Sequence, residues 1–481
     1  MLAWLTHEDQ TVAGCRWPDT LSCRLLRNMA VMSAFRWENR RGQLAAVVVF
    51  VIFAAGATAY AVISSIVGPA TAGLTADRII VAAGDTAVVA DIGDIDAFVV
   101  QAAATAAATA GGFSASARTG SLGMQRLSRS GVVVHAPPAG YLIPMIYIAM
   151  PPTALAGTLG TDVSNVLDAN SVVVNQLTAD TTGARVGDVI DMQAADGSMQ
   201  AFTITGIRQY DQIGGSELVI TVDGAQRLGA TADTQVVIWG FAFRSVLDQA
   251  LIDVGVTGRK DTRVSRSWDL VDPDGTLSTA RTKVLLGEPW YRFVSEDSIA
   301  MHPDWEAANL SPSRILLDPT IQIRARCHLK VVADLGAALA EVAAAGLAGA
   351  IDVVNANTYG GCFNPRFSRT SGQIGFLSRH AYGMALDTNT LSNCQGCVPP
   401  MNCTVVRIFR KHNFAWGGNF RRPDGMHFEW VGEPRDRIEF PSRYCPNLVA
   451  PLAQSTYVET LGLDVLLAGQ EAITAGHVHE P

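Results

Sequence analysis

The 481-residue chain has no dense run of basic residues, and its formal net charge is −8. It therefore lacks the electrostatic footprint of a nucleic-acid binder. No cysteine stands between Cys23 and Cys327, so any disulfide framework is confined to the C-terminal region. Residues 78–260 hold no constellation of catalytic type, which leaves the chemistry to be sought elsewhere. From Leu44 to Val67 no residue is charged, and that absence speaks to topology.

The uncharged run LAAVVVFVIFAAGATAYAVISSIV covers 24 positions. As a helix it spans about 36 Å, enough to cross a hydrocarbon core of about 30 Å. Arg36, Arg40 and Arg41 precede it, with Arg16, Arg24 and Arg27 further upstream. The positive flank predicts a cytoplasmic segment (1–43), a transmembrane helix (44–67) and an extracytoplasmic remainder. The competing reading is a cleaved signal peptide ending at Ala70-Thr71-Ala72, which would leave a secreted protein. The apolar run and its leader are long for a signal, although a start at Met29 or Met32 would shorten the leader. At this length two or three domains are expected.

Cysteine placement agrees with that topology. Cys15 and Cys23 precede the anchor and are expected as reduced thiols. Cys327, Cys362, Cys394, Cys397, Cys403 and Cys445 follow it and read as up to three disulfides, with fifteen pairings open. The alternative is a structural zinc site built from Cys394, Cys397 and Cys403.

Residues 78–260 read as a β-rich domain. Ser171-Val172-Val173-Val174-Asn175 is strand-like, and Gly187-Asp188 is a turn before Val189-Ile190-Asp191-Met192. Residues 200–207 alternate apolar and polar, as a half-buried strand does. The Ala-rich segment 102–110 reads as helix. In its strand, "GD" turn and paired strand, the stretch 171–222 resembles the extracytoplasmic core of MacB/FtsX-type membrane proteins. Residues 261–320 are expected to connect this part to a compact α+β segment at 321–447, with a polar tail at 448–481. In that segment Asp334 is expected to cap a helix running to about Ala345, with Leu335, Leu339 and Val342 buried. Residues 352–356 read as a short strand. Residues 404–413 read as an amphipathic helix with Val405, Ile408 and Phe409 inward, basic residues outward and His412 at its end.

The chemistry concentrates in two motifs. Ser378-Arg379-His380-Ala381-Tyr382-Gly383-Met384-Ala385-Leu386-Asp387 is followed by Asp424-Gly425-Met426-His427-Phe428-Glu429-Trp430. Two imidazoles and a carboxylate suffice for a catalytic zinc ion, which uses three protein groups and keeps one open position. Asp424 supplies a second carboxylate, the kind of base a metallohydrolase requires. Strand period places His427 and Glu429 on one face, with Met426, Phe428 and Trp430 on the other. Glu429 suits support of a ligand rather than direct catalysis. Ala385 leaves room beside Asp387, and Gly383 relieves the turn after His380. Among the other histidines, His477 and His479 fall in the tail, and His302 and His328 have no partners at a recognisable spacing.

These residues resemble the zinc D,D-peptidase family: VanY-like D-alanyl-D-alanine carboxypeptidases, VanX-like dipeptidases and L-alanyl-D-glutamate endopeptidases. Its pattern is Ser-x-His-x2-Gly-x-Ala-x-Asp followed by Glu or Asp-x2-His. Ser378, His380, Gly383, Ala385, Asp387, Asp424 and His427 match it. The resemblance implies an α+β catalytic domain with a small antiparallel sheet and flanking helices. It also implies zinc ligation by His380, Asp387 and His427, with Asp424 as general base. An upstream arginine that stabilises the oxyanion corresponds to Arg366, with Arg369 close enough to compete. Asp in place of Glu as base resembles the endopeptidase branch, whereas the flanking residues resemble the VanY-like subgroup. The expected activity is hydrolysis of peptidoglycan stem peptides, most of all of the D-alanyl-D-alanine carboxypeptidase type. Two rivals stand beside it: a non-catalytic cell-wall-peptide-binding module, and a sensor or assembly protein acting through the β-rich part.

Overall fold

A computed structural model describes residues 84–448 apart from 92, 214, 296–297, 354–358 and 372. The 44–67 run, Cys15, Cys23, His477 and His479 lie outside the described residues. Among the described residues, no helix is long and apolar enough to cross a membrane.

Ten strands build the β-rich part. They are β1 (Thr86–Asp91), β2 (Phe113–Arg129), β3 (Val132–His135), β4 (Ile143–Met150) and β5 (Ser171–Asn175). Then follow β6 (Val189–Gln193), β7 (Met199–Arg208), β8 (Leu218–Thr221), β9 (Gln235–Trp239) and β10 (Thr262–Arg266). Pairing runs β2–β4–β8–β5–β7–β6 and returns from β6 to β2. That closes a six-stranded ring, parallel at β4/β8 and β5/β7 and antiparallel elsewhere. Closure removes the open edges a sheet would otherwise leave. The alternation expected in β7 puts Phe202 and Ile204 inside, where they meet Leu122, Met145, Val174 and Leu218. The first residues of β2 leave the ring and pair with β9, extending a second sheet ordered β10–β1–β9–β2. The Ala-rich segment is the helix Ala97–Thr109, and its buried alanines pack under this sheet with the helix Arg244–Asp253.

Residues 261–320 do more than connect. They carry the helix Thr279–Leu286, a hairpin of β11 (Tyr291–Ser295) and β12 (Ser298–Met301), and the helix Pro303–Asn309. Leu277, Leu286, Tyr291, Ile299, Met301 and Trp305 enter the same core cluster as residues 321–445. Lys283 and Glu217, both buried, form an ion pair between this helix and the β-rich part. Lys283 Nζ also donates to Pro144 O at 3.0 Å, and Glu217 Oε2 accepts from Ile146 N at 3.0 Å.

Beyond a short ladder of β13 (Ile315–Leu316) and β14 (Arg324–Ala325), the chain enters the helix Leu329–Ala344. Its cap is His328, whose Nδ1 accepts from Lys330 N at 3.1 Å. Asp334, expected as the cap, lies inside the helix instead. The cap His328 starts the helix six residues earlier, and the Asp334 carboxylate instead accepts from Asn413 Nδ2 at 2.8 Å and Trp430 Nε1 at 2.7 Å. The strand expected at 352–356 is absent at residues 352 and 353, and 354–356 are outside the described residues. The second helix, Cys403–Lys411, is capped by Asn402 and buries Val405, Ile408 and Phe409 as expected. Arg410 departs from the outward basic face. It is fully buried because Asp274 meets it there, at 2.9 Å from Nε to Oδ1, and Cys445 O accepts from Nη1 at 2.6 Å.

These helices cover one face of a four-stranded antiparallel sheet. Its order is β15 (Tyr359–Gly361), β18 (Ala385–Thr388), β20 (His427–Trp430) and β19 (Phe414–Trp416). Between β15 and β18 a hairpin of β16 (Phe367–Ser371) and β17 (Ile374–Leu377) reaches the ring of strands. Ile374 is buried in the ring's core cluster, and Gln373 N donates to Ala195 O at 2.9 Å.

Candidate metal centre

Three local features bring the motifs together. Ser378 caps a short 3-10 turn, Arg379–Tyr382, its Oγ accepting from His380 N at 3.3 Å. Gly383 ends that turn at φ +68°, and a Cβ there would lie 2.7 Å from Leu310 Cδ2 and 2.9 Å from His328 N. Only glycine suits both the backbone and the space. The chain can then enter β18, where Asp387 stands directly opposite His427 of β20, and Ala385 opposite Glu429. Directly opposed residues share a face, so the expected alternation holds, with Leu386 and Phe428 turned into the core.

His380, Asp387 and His427 each offer a ligand atom, all within 4.8 Å of one another. Asp387 Oδ2 lies 3.1 Å from His380 Nε2, and its Oδ1 3.0 Å from His427 Nδ1. The other nitrogen of His427, Nε2, faces Glu429 Oε2 at 3.5 Å. Glu429 is buried and forms an ion pair with Arg379 Nε at 3.0 Å. Arg379 in turn donates to Thr282 Oγ1 at 3.2 Å. The imidazole of His427 is thus oriented from behind, as metal-ligating histidines usually are.

Electrostatics follow from this packing. Burial alone would raise the Asp387 carboxyl, but hydrogen bonds from His380 and His427 hold it well below the usual carboxylate range. Burial would lower His427, yet its bonds to Asp387 and Glu429 push it up to about 10. Asp424 is raised, chiefly by burial and further by the charge of Asp387, with His427, His380 and Arg366 opposing. His380 Nδ1 and Asp424 Oδ1 are buried without a hydrogen-bond partner. Converging nitrogen and carboxylate donors with unsatisfied polar atoms beside them fit a zinc ion.

Asp424 is held by its neighbours. Its N–H donates to Gly417 O at 2.9 Å, and Trp416 Nε1 donates to Gly425 O at 2.9 Å. Arg366 lies just before β16, close enough for its charge to act on Asp424, and donates to Phe367 O at 3.3 Å. Arg369 is in β16 opposite Phe376. Sequence reasoning missed Arg379 and Gln395, the latter placed against Asp424 by an isolated strand bridge. The signal for Arg379 was an arginine adjacent to a ligand; for Gln395 there was none.

The six C-terminal cysteines form three disulfides: Cys327–Cys362, Cys394–Cys397 and Cys403–Cys445. The alternative structural zinc site is corrected accordingly, since its three thiols are consumed in two of these bonds. His412 ends its helix and its Nε2 lies 2.7 Å from Glu341 Oε2. His302 and His328 both act as helix caps, each accepting a backbone N–H through Nδ1.

Residues 371–430 match the family model for D-alanyl-D-alanine carboxypeptidase. This is a zinc peptidase family. The matched stretch contains Ser378, His380, Asp387, Asp424, His427 and Glu429, while Arg366 precedes it. No curated protein matches the chain.

Proposed function

We propose that this chain is a zinc metallopeptidase that hydrolyses peptidoglycan stem peptides, acting as a D-alanyl-D-alanine carboxypeptidase. The observation that carries the reading is the convergence of His380, Asp387 and His427 beside a half-buried Asp424, within the stretch that matches the family. Bound zinc supplies a Lewis acid and makes water acidic enough to attack an amide near neutral pH.

The chain's own residues do the rest. Asp424 sits where burial favours its protonated form, so it accepts a proton from the attacking water and passes it to the leaving amine. The guanidinium of Arg366 offers two donors to the oxygen on which charge develops. Arg379 fixes Glu429, and Glu429 fixes the His427 ring. Ser378 caps the turn that carries His380. If the uncharged 44–67 run spans a membrane, it would hold this site on the side where stem peptides are found.

Two variants test the reading. His427→Ala should lose both zinc and hydrolysis, whereas Asp424→Asn should keep zinc and lose hydrolysis. A wild-type chain that binds zinc but cleaves no muropeptide would replace the enzyme with a peptide-binding module.

A further inference from the structure

Residues 393–399 form a loop against the segment that carries Asp424, and the proposed chemistry makes no use of it. Gln395 and Asp424 form an antiparallel bridge, and Gly396 N donates to Pro423 O at 2.6 Å. Gln395 Nε2 reaches Asp424 Oδ2 at 3.5 Å. At Gly425 a Cβ would meet Pro399 Cβ at 2.4 Å and Asn393 Oδ1 at 2.9 Å, so this loop packs directly on the turn. The turn bearing the base is therefore held by Gly417 and Trp416 from one side and by this loop from the other. Cys394 and Cys397 close the loop with a disulfide across a sequence separation of 3.

We propose that this disulfide loop is a clasp that positions Asp424 for proton transfer, through Gln395 and Gly396, and that a dithiol reductant opens it. Its kinetic consequence rests on the peptidase reading; its structural consequence does not. Accessibility separates this bond from the other two. Cys394 is exposed and Cys397 half-buried, whereas Cys327 and Cys362 are both buried and Cys403, half-buried, is bonded to a Cys445 that is 5% exposed. A thiolate attacks the sulfur it can reach. The other disulfides span separations of 35 and 42, and longer loops restrain the unfolded chain more. Opening the clasp therefore leaves the fold standing. The reaction balances through a mixed disulfide: the Cys394–Cys397 bond breaks, two protein thiols form, and the dithiol leaves as its own cyclic disulfide, having given two electrons and two protons.

The test uses the full zinc-loaded chain with its free thiols first blocked. It is exposed to graded dithiothreitol, alkylated, and mapped by mass spectrometry. Amide hydrogen exchange over residues 420–427 and muropeptide hydrolysis are followed on the same samples. Cys394 and Cys397 should label before the other four, with faster exchange in 420–427, zinc content unchanged, and kcat lowered about tenfold or more at nearly constant KM. Reoxidation should restore both. Cys394→Ser with Cys397→Ser should show the low kcat without dithiol and no response to it, and Gln395→Ala a smaller fall in kcat. Selective reduction that leaves exchange unchanged, or that raises exchange without lowering kcat, overturns the proposal. If the chain hydrolyses no muropeptide, the exchange result alone decides the clasp, so the two failures are told apart.

Discussion

At the residue scale the centre should couple protons to metal. His427 is pushed up to about 10 in the metal-free protein, against an unfolded value near 6.5. A raised basic group stabilises the fold fully below about 6.5, and that contribution is lost as pH rises through about 10. Zinc would need the neutral imidazole, so its binding would release a proton and its affinity should rise with pH up to about 10. Chelator competition at pH 6, 7 and 8 checks this, with affinity increasing at each step; a flat profile would contradict it. Glu429→Gln should weaken zinc binding by about 10–100-fold, because the His427 ring loses its orienting carboxylate. That His380, Asp387 and His427 converge was legible from the two motifs and the family they resemble, and the pairing of β18 with β20 brings the side chains together. Arg379 was not, since its partner Glu429 lies fifty positions away in sequence and comes to it only through the pairing of β18 with β20.

At the element scale the turn before β18 is the sensitive point. Gly383→Ala should destabilise the protein by at least about 1–2 kcal/mol, from the left-handed backbone and the contacts awaiting a Cβ. Denaturant midpoints measure this, and an unchanged midpoint would show that Leu310 and the His328 backbone move aside freely. Buried charge defines a second element. Asp274 accepts from Arg410, from Trp416 N at 3.0 Å and from Asn419 Nδ2 at 2.7 Å. Asp274→Ala strands the Arg410 guanidinium in the core and should cost about 3–5 kcal/mol. Helix faces were readable from period, which placed Val405, Ile408 and Phe409 correctly. Arg410 was misread because period records which side a residue occupies, not whether a distant carboxylate waits there. Asp334 was misread likewise: a carboxylate near a helix start suits a cap, and only the positions of Asn413 and Trp430 reveal its other task.

At the scale of the whole molecule, the described residues belong to one compact unit. The strand-rich nature of 78–260 was legible from alternation, but closure of β6 onto β2 was not, because it pairs segments sixty residues apart. Nor did composition show that 274–310 completes the peptidase core. A fragment of residues 320–450 lacks Asp274, Leu286, Tyr291 and Trp305 and should be poorly folded by circular dichroism and thermal melting. One beginning at about residue 270 keeps them, but leaves the β16–β17 hairpin without the ring of strands against which Ile374 packs. The most direct test of the account therefore uses the whole chain from residue 74. It is incubated with muropeptides ending in D-alanyl-D-alanine, with and without zinc, and the products are weighed by mass spectrometry. Release of D-alanine that requires zinc and disappears in Asp424→Asn is the predicted result. Intact muropeptides with a zinc-loaded chain, or cleavage that survives removal of zinc, would contradict it.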